Sequence, residues 1–256
     1  MWKIIRITIL LLVLLIVAGQ ALLDRLATTQ WTRTVYAGAF PVNADGSPIT
    51  ARYLSQLDLK KIDEVGEFLN GEAHRYGVAI QEPIRIELYP ALDKAPPVLD
   101  GNAGVLSRII WSLRLRYYRH SVMSGLSPKP KIALFLLYHD PALTQSLPHS
   151  VGLQRGLSAV VHVFASPAQE GQNRIVIAHE LLHTFGASDA YDLSTGQPQV
   201  PRGLADPQQV PLYPQQQAEI MAGRLALSAS ESRLPDGLDE ERVGSVTARE
   251  IGWIDR

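Results

Sequence analysis

The sequence predicts an α/β layer fold with a mixed sheet, and three observations predict it. Segments of two-residue alternation, or of continuous apolar character, alternate along the chain with segments of helical periodicity. Hydrophobic residues make up 46% of the 256 and charged residues 19%, enough to pack a core in one substantial domain. No internal repeat or low-complexity tract interrupts residues 31–256.

Val35–Asn43 (VYAGAFPVN) reads as a strand, which Pro41 places at a sheet edge or at a strand end. Residues 57–76 form an amphipathic helix, with Ile62, Val65, Leu69, Ala73 and Tyr76 recurring at three- and four-residue steps. Residues 84–89 (IRIELY) alternate with period two and read as a strand. A second helix over 104–120 carries its main stripe on Leu106, Ile109, Ile110, Leu113 and Tyr117. Trp111 and Leu115 lie opposite that stripe amid Arg108, Arg114, Arg116 and Arg119, so this helix is expected to contact protein on two sides. The sharper alternative makes the Trp111 side a basic amphipathic surface that touches a membrane. Residues 131–138 (KIALFLLY) are continuously apolar, as a central strand buried on both faces requires. Residues 157–165 (LSAVVHVFA) read as another strand, and 173–185 as a helix with Asn173 at its N-cap and Gly186 at its end. Residues 197–214 contain five prolines and form an irregular loop; a last helix begins near Thr247, which stands in capping-box spacing with Glu250.

Charge and cysteine content exclude several classes. The net charge of −1, with no long run of one sign, argues against a nucleic-acid partner. With no cysteine there are no disulfides, thiolate ligands or thiol nucleophiles, so any metal must be held by His, Asp, Glu or Tyr. The first 25 residues stand apart: Lys3 and Arg6 precede an apolar run over 7–23 in which Gln20 is the only strongly polar side chain. That run is long for the core of a signal peptide, so 1–25 is expected to be an uncleaved signal-anchor crossing the membrane. Small residues at Val17-Ala18-Gly19 and Gly19-Gln20-Ala21 would suit a cleaved signal instead. Either way the basic flank keeps the N-terminus cytoplasmic and places residues 26–256 outside the cytoplasm, in the periplasm or secreted.

Residues 179–192 read HELLHTFGASDAYD. On a helix, His179 and His183 lie on one face about one turn apart, so both imidazoles can reach one ion. Glu180 leaves the helix about 100° further round and can reach a water at the ion's open position. The neighbours Ile175, Val176, Ile177, Ala178, Leu181, Leu182 and Phe185 are apolar almost all round, so the helix is buried and its polar groups need partners. A bland alternative is a buried helix whose histidines bond to backbone.

His179-Glu180-x-x-His183-x-x-Gly186-x-x-Asp189 resembles the extended signature of the metzincin zinc endopeptidases, with Asp in the third-ligand place as in the snapalysin-type variant. The resemblance implies one catalytic Zn²⁺ held by His179, His183 and Asp189, Glu180 as general base, and Met221 in a methionine turn below the metal. It also implies a mostly parallel twisted sheet with an antiparallel edge strand, packed on helices that include the motif helix. The strand over 157–165, which precedes the motif helix, corresponds to the edge strand that in such proteins pairs antiparallel with extended substrate. Asp in place of a third His lowers the charge of the site and should make a bound water less acidic. Asp192 is a second candidate ligand, and Glu219 a more distant one, similar to the gluzincin arrangement. Tyr191 or Tyr213 could stabilise an oxyanion; His162, in the strand before the motif helix, reads as structural, and His139, Asp140 and His149 as solvated loop residues. The expected function is peptide-bond hydrolysis outside the cytoplasm on a peptide or protein substrate. The alternative is a non-catalytic envelope protein that uses the zinc helix as a binding or structural module.

Overall fold

The computed structural model describes residues 2–99 and 104–255. Five strands form the main sheet: β1 (Val35–Asn43), β2 (Ile84–Leu88), β3 (Ile132–His139), β4 (Val151–Leu153) and β5 (Ser158–Phe164). Their spatial order is β2-β1-β3-β5-β4. All neighbours are parallel except β4, which runs antiparallel to β5 at the edge. The helices are α1 (Trp2–Thr29), α2 (Pro48–Ser55), α3 (Lys60–Arg75), α4 (Val105–Met123), α5 (Glu170–Phe185) and α6 (Ser245–Glu250). The fold is therefore α/β, with a mostly parallel sheet and an antiparallel edge strand.

Alternation along β3 shows how the layers are sorted. Ile132, Leu134, Leu136 and Tyr138 pack with α3 and α5, whereas Ala133, Phe135 and Leu137 pack with Trp111 and Leu115 of α4. A strand covered on both faces has no polar side to show, which accounts for its unbroken apolar run.

Several local expectations need correction. β1 lies inside the sheet despite Pro41. The carbonyl of Pro41 accepts from Leu92 N at 2.8 Å, on the side of β2 but beyond its last paired residue, Leu88. A residue's N–H and C=O point to the same side of a strand, so the missing N–H costs no bond to β3. Residues 48–55 add a helix, α2, which opens with Ser47 as N-cap, its side chain accepting from Ile49 N, and with Pro48 in the first turn. Asn173 is not the cap of α5, which begins at Glu170. Its amide instead clamps β5, accepting from Phe164 N at 3.0 Å and donating to Phe164 O at 2.8 Å. Gly244, not Thr247, caps α6. On α4 the two faces are exchanged relative to expectation: Trp111 and Leu115 are buried, and the larger stripe faces outward. Because Trp111 and Leu115 fill the second core, they cannot form a membrane-facing surface.

The membrane-spanning expectation is overturned. Among the described residues no helix is long and apolar enough to cross a membrane. The apolar run over 7–23 covers about 25 Å at 1.5 Å per residue, against a hydrocarbon core of about 30 Å. Gln20 interrupts it, and Asp24 and Arg25 close it. The last turn of α1 is used by the domain: Thr28 is buried, and the helix packs against α5. The signal-anchor and the single-pass membrane anchorage through α1 rested on that span and fall with it.

Beyond α5 the chain makes short pairings. β6 (Ala218–Glu219) runs parallel to β9 (Glu241–Arg242), and β7 (Leu225–Ala226) antiparallel to β8 (Ser232–Arg233). The carboxyl of Glu241 is buried, and neither oxygen has a hydrogen-bond partner. Burial, then repulsion from Glu219 and Glu240, pushes it well above the ordinary carboxylate range. The folded state thus holds its proton longer than the unfolded chain, and stability falls as pH rises from the ordinary value through the raised one. Replacing Glu241 with Gln is expected to flatten that decline and to stabilise the protein by about 1–2 kcal/mol at pH 8. Urea unfolding of both proteins at pH 5 and pH 8 checks it.

Candidate metal centre

α5 carries the site, and its end aims it. Gly186 adopts the left-handed conformation, φ 106°, which an L side chain disfavours. Its N–H reaches His183 O at 3.1 Å, and Ala187 N reaches Leu182 O at 3.1 Å, so the last carbonyls are satisfied as the chain turns back. Gln154, just beyond β4, donates from Nε2 to Phe185 O at 2.9 Å and lies where a Cβ on Gly186 would stand.

After that turn Asp189 faces both histidines. Its Oδ1 lies 3.1 Å from His183 Nε2 and 3.2 Å from His179 Nε2, and the two Nε2 atoms are 3.1 Å apart. The other ring nitrogens are committed. His179 Nδ1 meets Ile220 O at 2.9 Å, and His183 Nδ1 meets Ala187 O at 2.8 Å. A carbonyl only accepts, so each Nδ1 must carry a hydrogen, which in a neutral imidazole leaves Nε2 with a bare lone pair. Two such lone pairs and a carboxylate oxygen then crowd one point, an arrangement that needs a cation or a shared proton between them. The titration directions follow the same geometry. Burial pulls His183 down, but the hydrogen bond and charge of Asp189 and the charge of Glu180 outweigh it and raise the imidazole. Burial pushes Asp189 up, and both imidazoles drive it far below the usual carboxylate range.

Glu180 sits beside this cluster, almost wholly buried, and its Oε2 has no hydrogen-bond partner. Desolvation raises its carboxyl, opposed by His179 and His183. The wall over it is β4, a strand too short for any periodicity to reveal. Gly152 lies so close to α5 that a Cβ would collide with Glu180 O and stand 2.6 Å from His183 Cβ. The motif helix does follow β5 in sequence, but β5 is not the edge strand; β4 covers it.

Met221 is buried below. Its carbonyl accepts from Ala190 N at 2.9 Å, beside Asp189, while the carbonyl of its neighbour Ile220 holds His179. The remaining sequence candidates lie outside the cluster. Asp192 Oδ1 accepts from the N–H and hydroxyl groups of Ser194 and Thr195, which hold its carboxyl at about 2, and it faces solvent. Glu219 is buried and spends both oxygens on Met221 N, Ala222 N, Gly244 N and Thr247 Oγ1. Tyr191 is half-buried near the carboxylates of Asp189 and Glu180, which add to burial in raising its phenol. Tyr213 stays in the proline-rich loop. His162 points to the α4 side of the sheet, where its Nδ1 lies 2.9 Å from His139 Nε2; both are buried, as is Asp140, so the solvated-loop reading of His139 and Asp140 does not hold.

No family model and no curated protein matches this chain.

The missed residues, Gly152 and Gln154, gave only a weak signal, a glycine between Val151 and Leu153. Gly152→Ala is expected to destabilise the protein by about 2–3 kcal/mol, because the new methyl group must push β4 away from α5. Urea unfolding checks this.

Proposed function

We propose that the chain is a zinc-dependent peptidase of metzincin type. One observation carries the reading: two imidazole Nε2 atoms with bare lone pairs and one carboxylate oxygen converge within about 3.2 Å, with the unpartnered Oε2 of a buried glutamate beside them. That donor set fits zinc, which prefers nitrogen and oxygen ligands and, in catalytic sites, three protein ligands with one position open. The ligands would be His179, His183 and Asp189. A zinc ion held there would supply a Lewis acid for the scissile carbonyl and would make a bound water easier to deprotonate.

The chain's own groups divide the remaining work. Hydrogen bonds from Nδ1 to the carbonyls of Ile220 and Ala187 fix both ring orientations and tautomers. Glu180 accepts the proton of the attacking water and returns it to the nitrogen of the leaving amine. Asp189 is the most open of the three ligands, its side chain 36% exposed, so substrate approaches over it. The outer edge of β4 offers main-chain groups to an extended peptide in that approach. Met221 supports the floor and touches no substrate.

Metal analysis of the purified chain is expected to give about one zinc per chain, and His183→Ala to abolish it. Glu180→Gln should keep the zinc yet lower cleavage of a broad peptide library by at least about 100-fold. A wild-type protein as inert as Glu180→Gln, with zinc bound in both, would leave a non-catalytic zinc module as the answer.

A further inference from the structure

The outward face of α4 is apolar. Val105, Leu106, Ile109, Ile110, Leu113 and Tyr117 stand 42–77% exposed, and at 100° per residue they cover an arc of about 140°. The opposite face is already occupied: Trp111 and Leu115 are in the second core, and Trp111 Nε1 donates to Pro97 O at 2.7 Å. The helix is therefore fixed, and its stripe is not a core face turned the wrong way.

The sequence that carries the stripe has charge of one sign. From Asp100 to Asp140 there is no intervening carboxylate, whereas Arg108, Arg114, Arg116, Arg119, Lys129 and Lys131 all fall in that interval. At 100° per residue Arg114 projects beyond one margin of the stripe and Arg108 beyond the other, while Arg116 falls within it and donates to Arg155 O. A second copy of the chain would set two basic helices against each other. A partner must instead be apolar in its middle and anionic around it. The side chains stand clear of their surroundings, as suits a flat partner into which they can sink.

We propose that α4 docks the protein on a bilayer surface rich in anionic phospholipid. Its apolar stripe enters the boundary between headgroups and acyl chains, and the flanking arginines meet the phosphates. This is peripheral adhesion by the side of a helix and asks no segment to cross the bilayer.

The test uses the full chain and vesicles of phosphatidylcholine with or without about 30% phosphatidylserine. Wild type is expected to co-sediment with the anionic vesicles at roughly tenfold lower lipid, an advantage lost at roughly 0.5 M salt. Ile109→Glu with Leu113→Glu should weaken that binding by at least tenfold. Because the chain has no cysteine, Leu113→Cys accepts a single environment-sensitive fluorophore whose emission should shift to the blue on anionic vesicles. That label decides alone if the double variant misfolds. Equal binding by wild type and a folded double variant, or an unshifted fluorophore, overturns the proposal. A dimer that the double variant converts to monomer would make a second copy the occupant and also overturns it.

Discussion

The floor of the candidate centre depends on one buried carboxylate, that of Glu219. An ionised carboxylate without solvent is costly unless its oxygens are hydrogen-bonded. Here Met221 N, Ala222 N, Gly244 N and Thr247 Oγ1 supply the bonds, at 2.6–3.1 Å. Burial raises the carboxyl and these donors offset only part of that rise, while its neighbour Glu241, with no donor, is driven much higher. Of the two, Glu219 is therefore the carboxyl equipped to carry a charge and Glu241 the one driven to keep its proton. The turn at 219–222 cannot shift without uncovering that charge, and it is this turn that presents the Ile220 carbonyl to His179 and the Met221 carbonyl to Ala190.

A different constraint acts at the other end of the motif. Gly152 lets β4 lie against α5, and Gln154 occupies the space that a side chain at 186 would need. Two missing Cβ atoms thus set the distance between edge strand and helix, and the left-handed turn at Gly186 sets the direction from which Asp189 returns. Hydrogen bonding to a buried carboxylate below and steric contact above fix the same three side chains from opposite sides.

How much of this could be read in the sequence depends on length and on contrast. β3 and β5 were legible because strands covered on both faces leave continuous apolar runs, and α3 because its stripe has no rival. β4 has three residues, too few for a period. α2 is signalled only by Ser47-Pro48, with no apolar run behind it to mark a helix. On α4, apolar residues occupy both faces, so periodicity identified the helix without saying which side enters the core. The choice between Asp189 and Asp192 stayed open for want of a direction for the turn. A local signal did exist, since Asp192 is followed by Ser194 and Thr195, whose N–H and hydroxyl groups an aspartate accepts in a tight turn. The sequence presents Glu219 only as a remote ligand, because four donors drawn from 221, 222, 244 and 247 leave no trace in spacing.

The nature of the second contact to each imidazole bears on the charge of the centre. In metal sites carboxylates often hold the outer nitrogen of a ligating histidine; main-chain carbonyls take that place at both His179 and His183. With Asp189 ionised, the three donors carry one negative charge, so a divalent cation would retain a net charge of about +1 at this point. Two carboxylates behind the rings would cancel it and weaken any polarisation of a carbonyl or a water. Neutral carbonyls orient the rings equally well and leave Glu180 as the one further carboxylate beside the cluster. With a cation held there, an aspartate as third ligand would lower the field at the site, and backbone carbonyls behind the rings would keep it from falling further.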